Sequence, residues 1–233
     1  MKVVLLAAGL GSRLRPITNN IPKCLVPING KPLLNYWLEM FAENAEIDEI
    51  IINCFYLKNL VFKFINDNWL HCKKITLINE EQLLGTAGTL VNLSPRIQGQ
   101  KTLVVHANNL SFFDLNTFII AHKNRPAYCD MTMMLFRTDS PSSCGIVELN
   151  HESVVDNMHE KVINPPSDLA NAAIYILEPQ VTKWLVTSSA IDISNDVIPH
   201  FFGRIFTWEN RTYHRDIGTP ESLELANLEL KNI

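Results

Sequence analysis

Residues 6 to 18 read LAAGLGSRLRPIT, and their types suit the holding of an anion. Glycines at Gly9 and Gly11 let the backbone approach a ligand closely, and consecutive N–H groups in such a turn cradle phosphate oxygens. Arg13 and Arg15 add guanidinium forks that pair with phosphate. Downstream, IPKCLVPINGKPLL carries Lys23 in a segment stiffened by Pro22, Pro27 and Pro32. A lysine held rigidly beside an arginine-bearing glycine turn suits an anionic reacting centre. A dinucleotide fingerprint fails twice, because Leu14 replaces its third glycine and Asn53 its acid after the second strand. A P-loop fails too, since the turn has no GK[ST] step. The bland alternative is a tight turn with solvated arginines.

A second stretch, VVHANNLSFFDL at 104–115, has an unexpected ending. The apolar run Leu103-Val104-Val105 meets two amides, Asn108 and Asn109, where such strands often end in a metal-binding carboxylate. His106 precedes them as a packing residue, and Asp114 reads as a helix N-cap.

The elements that must position these residues alternate. MKVVLLAA, EIIINCF, KITLINE and TLVVHA read as strands; PLLNYWLEMFAENA, LKNLVFKFINDNW, GTAGTLVNL and FDLNTFIIAHK read as helices. That order predicts an α/β fold with a doubly wound, mostly parallel, Rossmann-like sheet. The later part is β-rich in DMTMMLF, CGIVELN, NAAIYIL and RIFTWEN, with helical EPQVTKWLV and SNDVIPHFF among them and a helix from about Thr219. Ligands in open α/β sheets sit beyond the carboxyl ends of the strands, here after Leu6, Asn53, Glu80 and Ala107. The 233 residues are 47% hydrophobic and 19% charged with net charge −4, which suits one globular domain, 1–233. No basic run marks a nucleic-acid partner, and no apolar stretch reaches the roughly 18 residues of a membrane span. Five scattered cysteines read as reduced thiols of a cytoplasmic protein rather than as zinc ligands.

Taken together, LAAGLGSRLRPIT and PKCLVPINGKPLL resemble the sugar-1-phosphate nucleotidylyltransferases, whose motif is LAAGxGxRLxPxT…PKxLxPxxxKPLL. GTAG at 85–88, CGIVELN, EK at 160–161, NAAIYIL and DIGTPESL extend the resemblance over almost the whole chain. The nearest types are the short mannose- or heptose-1-phosphate guanylyltransferases and the N-acetylmuramate-1-phosphate uridylyltransferases. The resemblance implies that 1–125 is mainly a nucleotide-binding half and 126–233 mainly a β-rich sugar-binding half. It implies attack of a sugar 1-phosphate oxygen on the α-phosphorus of a nucleoside triphosphate, with pyrophosphate leaving. Leu6, Ala8, Gly9, Gly11 and Gly85 would line the nucleotide, Arg13 would clamp pyrophosphate, and Lys23 would stabilise charge at the α-phosphate. Gly145, Glu160 and Asn171 would contact sugar hydroxyls, and Lys161 the sugar phosphate. Ala173 departs from the family's Asn-x-Gly. Glu80 aligns with the base-reading position, where a carboxylate accepts from the N–H edge of guanine and so favours GTP over UTP or CTP. Neither a nucleic acid nor a membrane is implied as a partner, and a homo-oligomer is an open option.

In that family the position of Asn108 is an aspartate that binds catalytic Mg²⁺ with the aspartate of DIGTP, here Asp216. An amide lacks the charge Mg²⁺ prefers, so weakened metal binding and slowed turnover are expected, with Asn108 still touching substrate. Three accounts compete: an inactivating Asp→Asn replacement, a natural residue with Asp216 and phosphates carrying the ion, and a pseudoenzyme. Alternatives for the whole chain are a non-catalytic nucleotide-sugar-binding regulator and a cytidylyltransferase for a small phospho-alcohol.

Overall fold

A computed structural model describes residues 1–231. Strands β1 (Lys2–Leu6), β2 (Pro27–Ile28) and β3 (Lys31–Pro32) precede α1 (Leu33–Ala42), β4 (Glu49–Cys54), α2 (Lys58–Asn68) and β5 (Ile75–Asn79). Helices α3 (Thr86–Asn92) and α4 (Ser94–Ile97) lead to β6 (Thr102–His106), β7 (Asn109–Phe112) and α5 (Leu115–Lys123). Then come β8 (Met131–Arg137), β9 (Gly145–Leu149), β10 (Val155–Glu160), β11 (Leu169–Leu177) and α6 (Pro179–Thr187). The chain closes with α7 (Ile198–His200), β12 (Ile205–Glu209), β13 (Tyr213–Asp216) and α8 (Pro220–Glu229). The fold is α/β with a mostly parallel, Rossmann-like sheet, as the alternation predicts. It gathers into two compact units interleaved along the chain: Met1–Leu83, Val105–Ser111 and the segment from His214 form the first, and Leu84–Val104 with Phe112–Tyr213 the second.

In the first unit, β1, β4 and β5 are parallel neighbours, paired from Lys2↔Glu49 to Leu6↔Asn53 and from Ile50↔Ile75 to Cys54↔Asn79. The buried Val, Leu and Ile runs of β1 and β4 leave the polar chemistry for the strand ends, while β5 is half-buried. That register sets Leu6, Asn53 and Asn79 along one edge, so the glycine turn, Asn53 and Glu80 all emerge there. Helix α1 buries Leu33, Leu34, Trp37, Leu38 and Phe41, one apolar stripe at helical spacing. The Trp37 indole donates to the Asn109 carbonyl at 2.9 Å, fixing the chain just after Asn108. Strands β7 and β13 pair as a small ribbon, which the sequence reading did not foresee. After it, α8 starts at a reciprocal cap: Ser222 N–H donates to Thr219 Oγ1, and Thr219 N–H to Ser222 Oγ.

In the second unit, β8 runs antiparallel to β11 and parallel to β12, while β9 pairs antiparallel with β10 and β11. Asp114 caps α5 as expected, its carboxylate accepting from the N–H groups of Asn116 and Thr117. SNDVIPHFF is a π-helical turn, Ile193–Val197, running into α7, and β10 is a strand the sequence reading missed. Helix α3 takes its cap from elsewhere in the chain. The Ile191 carbonyl accepts from Ala87 N–H at 2.9 Å, and Gly85 packs so closely that an added Cβ would lie 2.5 Å from it. The same unit holds a partly buried ion cluster in which Glu178 Oε1 accepts from Arg125 (2.6 Å), His122 (3.1 Å) and Lys101 (3.2 Å). Burial, then the Arg125 charge, pushes His122 down to about 4 despite the carboxylate beside it.

Two stability predictions follow from this unit. The unfolded chain protonates its histidine near 6.5, whereas His122 stays neutral until about pH 4, so the unfolded state binds more protons between those values. Stability therefore falls on acidification through that window, by about 2 kcal/mol between pH 7 and pH 5 for this group. His122→Gln should flatten that part of a urea-denaturation pH profile; an unchanged slope refutes it. Gly85 holds φ +77° against Ile191, a backbone region closed to side chains. Gly85→Ala is expected to lower the urea midpoint by the equivalent of roughly 2–4 kcal/mol. A loss under 0.5 kcal/mol, taken as about the noise of surface substitutions, argues that the close approach is absent in solution.

Candidate functional site

Three of the sequence-predicted residues meet on the carboxylate of a fourth, Asp216, in the first unit. The Asn108 amide donates to Asp216 Oδ1 at 2.6 Å, Lys23 Nζ lies 3.6 Å from the same oxygen, and Arg13 Nη2 lies 3.8 Å from Oδ2. Main chain reinforces the meeting, because Ile217 N–H donates to the Asn108 carbonyl. Lys23 is mostly covered, with 13% of its side chain exposed, while Arg13 reaches solvent. Burial lowers the Lys23 pKa, Asp216 raises it, and Arg13 lowers it again; the net shift is downward. The glycine turn is built to sit here. Gly11 has φ +63°, and a Cβ on it would lie 2.9 Å from Thr18 and 3.2 Å from Cβ of Lys23. Thr18 then closes the turn by donating to the Gly11 carbonyl at 2.7 Å. Gly9 is exposed with open space around it, Ala8 is buried behind it, and the Leu6 carbonyl accepts from Ala107 N–H.

The same edge carries the residue expected to read a base. Glu80 is 3% exposed, and its Oε1 accepts from the Asn53 amide at 3.0 Å. The Asn53 carbonyl oxygen in turn accepts from Ala7 N–H at 2.7 Å, inside LAAGLGSR. Glu81, its neighbour, is exposed.

In the second unit a separate group gathers on β9, β10 and β11. Gly145 faces Glu160, whose Oε2 lies 2.6 Å from where a Cβ would stand. Lys161 pairs with Glu160 at 2.9 Å and holds φ +52°. The Asn171 amide donates to the Tyr175 hydroxyl at 2.8 Å, and its carbonyl oxygen accepts from Ala173 N–H at 2.9 Å. Ala173 itself sits at φ +54°, the conformation that favours the glycine found in the family pattern. The pairing of β11 with β8 shifts register across this stretch, between Asn171 and Tyr175. Gly85 lies in this unit too, against Ile191.

Could the first cluster hold a divalent cation? It supplies one carboxylate, Asp216, and one amide, Asn108, whose N–H is turned to that carboxylate. Among the described residues no group of three or more His, Cys, Asp or Glu gathers to hold a metal. Mg²⁺ accepts one or two carboxylates when substrate phosphates complete its shell. The residues present therefore fit Mg²⁺ only as a weak, substrate-assisted site.

Three residues of this architecture were given no role in the sequence reading. Thr18 locks the turn, Asn53 ties two strand ends, and Gly218 leaves room for the cluster, since a Cβ there would lie 2.7 Å from Asp216 Oδ2 and 3.2 Å from Arg13. A polar residue closing an apolar run, as in EIIIN, was the available signal for Asn53.

Known proteins resemble this chain in sequence and in fold. A mannose-1-phosphate guanylyltransferase of Mycobacterium tuberculosis is 29% identical over 97% of this chain and 64% of its own length. A UTP–glucose-1-phosphate uridylyltransferase of Synechocystis is 27% identical over 85% of this chain and 54% of its own. The chain thus spans less than two thirds of these curated relatives. Among solved structures, HddC from Yersinia pseudotuberculosis superposes with TM-score 0.81 at 26% identity, covering 98% of this chain and 99% of that one. HddC complexed with GMP-PN gives TM-score 0.79 at 25% identity. The model of the Nucleotidyl transferase family matches residues 2–233, and the chain belongs to that family.

Proposed function

We propose that the chain transfers a nucleoside monophosphate from a nucleoside triphosphate to a sugar 1-phosphate. The observation that carries this reading is the convergence of Lys23 and Arg13 on one carboxylate beside an open glycine turn. A phosphate oxygen of the sugar 1-phosphate attacks the α-phosphorus, the bond to the bridging oxygen of the β-phosphate breaks, and pyrophosphate departs. Such transfers rest on positioning and charge neutralisation rather than on covalent participation by the protein. Backbone N–H groups around Gly9 and Gly11 hold the triphosphate, and the exposed Arg13 guanidinium pairs with the leaving pyrophosphate. Lys23, largely covered and rigidly flanked, offers a fixed point charge at the α-phosphate. Gly145, Glu160, Lys161 and Asn171 bind the sugar 1-phosphate; the pairing of Lys161 with Glu160 keeps an ammonium group among the hydroxyl-binding residues.

Asp216 and the amide oxygen of Asn108 would hold Mg²⁺, which when bound neutralises charge on the phosphates. GTP is the favoured nucleotide, supported by the carboxyl group of Glu80 and by relatives named as guanylyltransferases. The relatives also include a uridylyltransferase, so the base is decided by the residues of this chain. The bond from Asn108 to Asp216 favours a second reading, a nucleotide-sugar binder with little turnover, because that amide brings no charge for an ion.

Pyrophosphate release with Mg²⁺ separates the two readings. The chain and its Asn108→Asp variant are compared with four nucleotides and a panel of sugar 1-phosphates. The variant is expected to gain roughly 10–100-fold in turnover, the usual size of changes around a metal ligand. Tight nucleotide-sugar binding without turnover by either form supports the binder. Equal, brisk turnover by both removes position 108 from metal binding.

A further inference from the structure

A strand at the edge of a sheet leaves a row of main-chain groups open to another chain, and proteins blunt such edges with charges, bulges or cover. Both devices of the second unit are visible. Strand β10 is polar along VDNMHE and bulged between Val155 and Asn157. The outer side of β12 is partly covered, since Thr207 N–H donates to the Ser153 carbonyl at 3.0 Å and Val154 bridges Phe206. Strand β5, ITLIN, ends the sheet of the first unit without any of this. It has no proline and no charged residue, pairs with β4 without a bulge, and has no second strand partner among the described residues. Ile75, Leu77 and Ile78 are each half-buried, so apolar side chains border the open edge. The strand is already fixed to its own unit. Thr76 Oγ1 donates to Glu49 at 2.8 Å, and Lys58 Nζ donates to the Asn79 side chain at 2.7 Å.

Bonding to β4 fixes which groups of β5 face outward. The Lys74 carbonyl accepts from Ile50 N–H at 2.8 Å, and Glu80 N–H donates to the Cys54 carbonyl at 2.9 Å, so the even-numbered residues turn their main chain to β4. Leu77 therefore points its N–H and carbonyl away from the sheet, as do the Ile75 carbonyl and the Asn79 N–H. The residues around this edge read KKITLINEE, basic at one end and acidic at the other. Lys73 and Glu81 stand equally far either side of Leu77; both are exposed, and neither forms an ion pair with a described residue. We propose that β5 is the pairing edge for a second copy of this chain, the two β5 strands running antiparallel about a twofold axis at Leu77. In that register Leu77 and its counterpart exchange both main-chain bonds, and Asn79 N–H donates to the Ile75 carbonyl of the second copy. Lys73 then faces Glu81 of the second copy, and the symmetry makes the same pair again. A slip of one residue sets outward groups against inward ones, and a parallel in-register arrangement sets Lys73 against Lys73. The edge is thus complementary to itself in hydrogen bonding and in charge, and the inference stands apart from the proposed activity.

Sedimentation velocity over a concentration series of the whole chain tests this. A contact built on one strand pair lies at the small end of specific interfaces, so a dimer with a dissociation constant in the micromolar range is expected. Lys73→Glu and Glu81→Lys should each weaken it about tenfold, because two symmetry-related attractions become repulsions. The double variant, Lys73→Glu with Glu81→Lys, exchanges the signs and should return the constant to within about threefold of the native one. Leu77→Pro removes one outward N–H, leaves the ladder to β4 whole, and should abolish the dimer. Thermal melts show which variants are folded; the charge variants change only exposed side chains and decide the matter even where Leu77→Pro fails to fold. A chain that stays monomeric at the highest concentration overturns the proposal. So does a dimer that neither charge reversal weakens, or a loss that the exchanged pair does not restore.

Discussion

Everything at the cluster in the first unit turns on the Asp216 carboxylate. Two cations and one amide surround it at 2.6–3.8 Å, so one negative charge serves three donors. The local balance is a net positive charge of about one, counting a lysine, an arginine and a single carboxylate. A site of that sign attracts anions. The carboxylate also offsets the repulsion between its two cations, since its charge raises the Lys23 pKa where that of Arg13 lowers it. The approach is steric as well as electrostatic: Gly11 and Gly218 each leave a gap that a methyl group would fill.

Hydrophobic burial supplies the frame on which this charge balance hangs. The parallel strands β1 and β4 are buried through their middles and half-buried or polar at their ends, while β5 beside them is half-buried. Such strands hold register because a slip of one residue would turn their buried set the wrong way. The consequence is that Leu6, Asn53 and Asn79 stay level. Bonds such as Ala7 to Asn53 and Asn53 to Glu80 need that level alignment, since each spans neighbouring strands.

Much of this was legible in the residue order. Runs of buried Ile, Leu and Val identified the parallel strands, and the paired glycines with following arginines identified the turn. Asp114 and Thr219 announced their helices, because capping is a local interaction between residues three apart. The missed features are non-local. Strand β10 carries a mixed pattern, VDNMHE, whose partner in β9 is not signalled by its own residues. The ribbon of β7 and β13 joins segments about a hundred residues apart. Asn53 looked like the absence of a cofactor acid, and its role depends on the Ala7 N–H opposite, which only pairing of β1 with β4 supplies. The left-handed backbone at Lys161 and Ala173 is equally silent in sequence, since neither residue type demands it.

The interleaving of the first unit bears on how the chain matures. Arg13 and Lys23 lie near its beginning, yet Asp216 belongs to a segment that follows the entire second unit. A chain made from its N-terminal side therefore carries the two cations uncompensated until some two hundred further residues have been added. The hairpin of β2 and β3 waits equally long for Asn227, whose side chain accepts from Asn29 N–H at 2.7 Å. Closure of the glycine-turn region on Asp216 therefore needs the segment from His214, which follows the second unit in the chain.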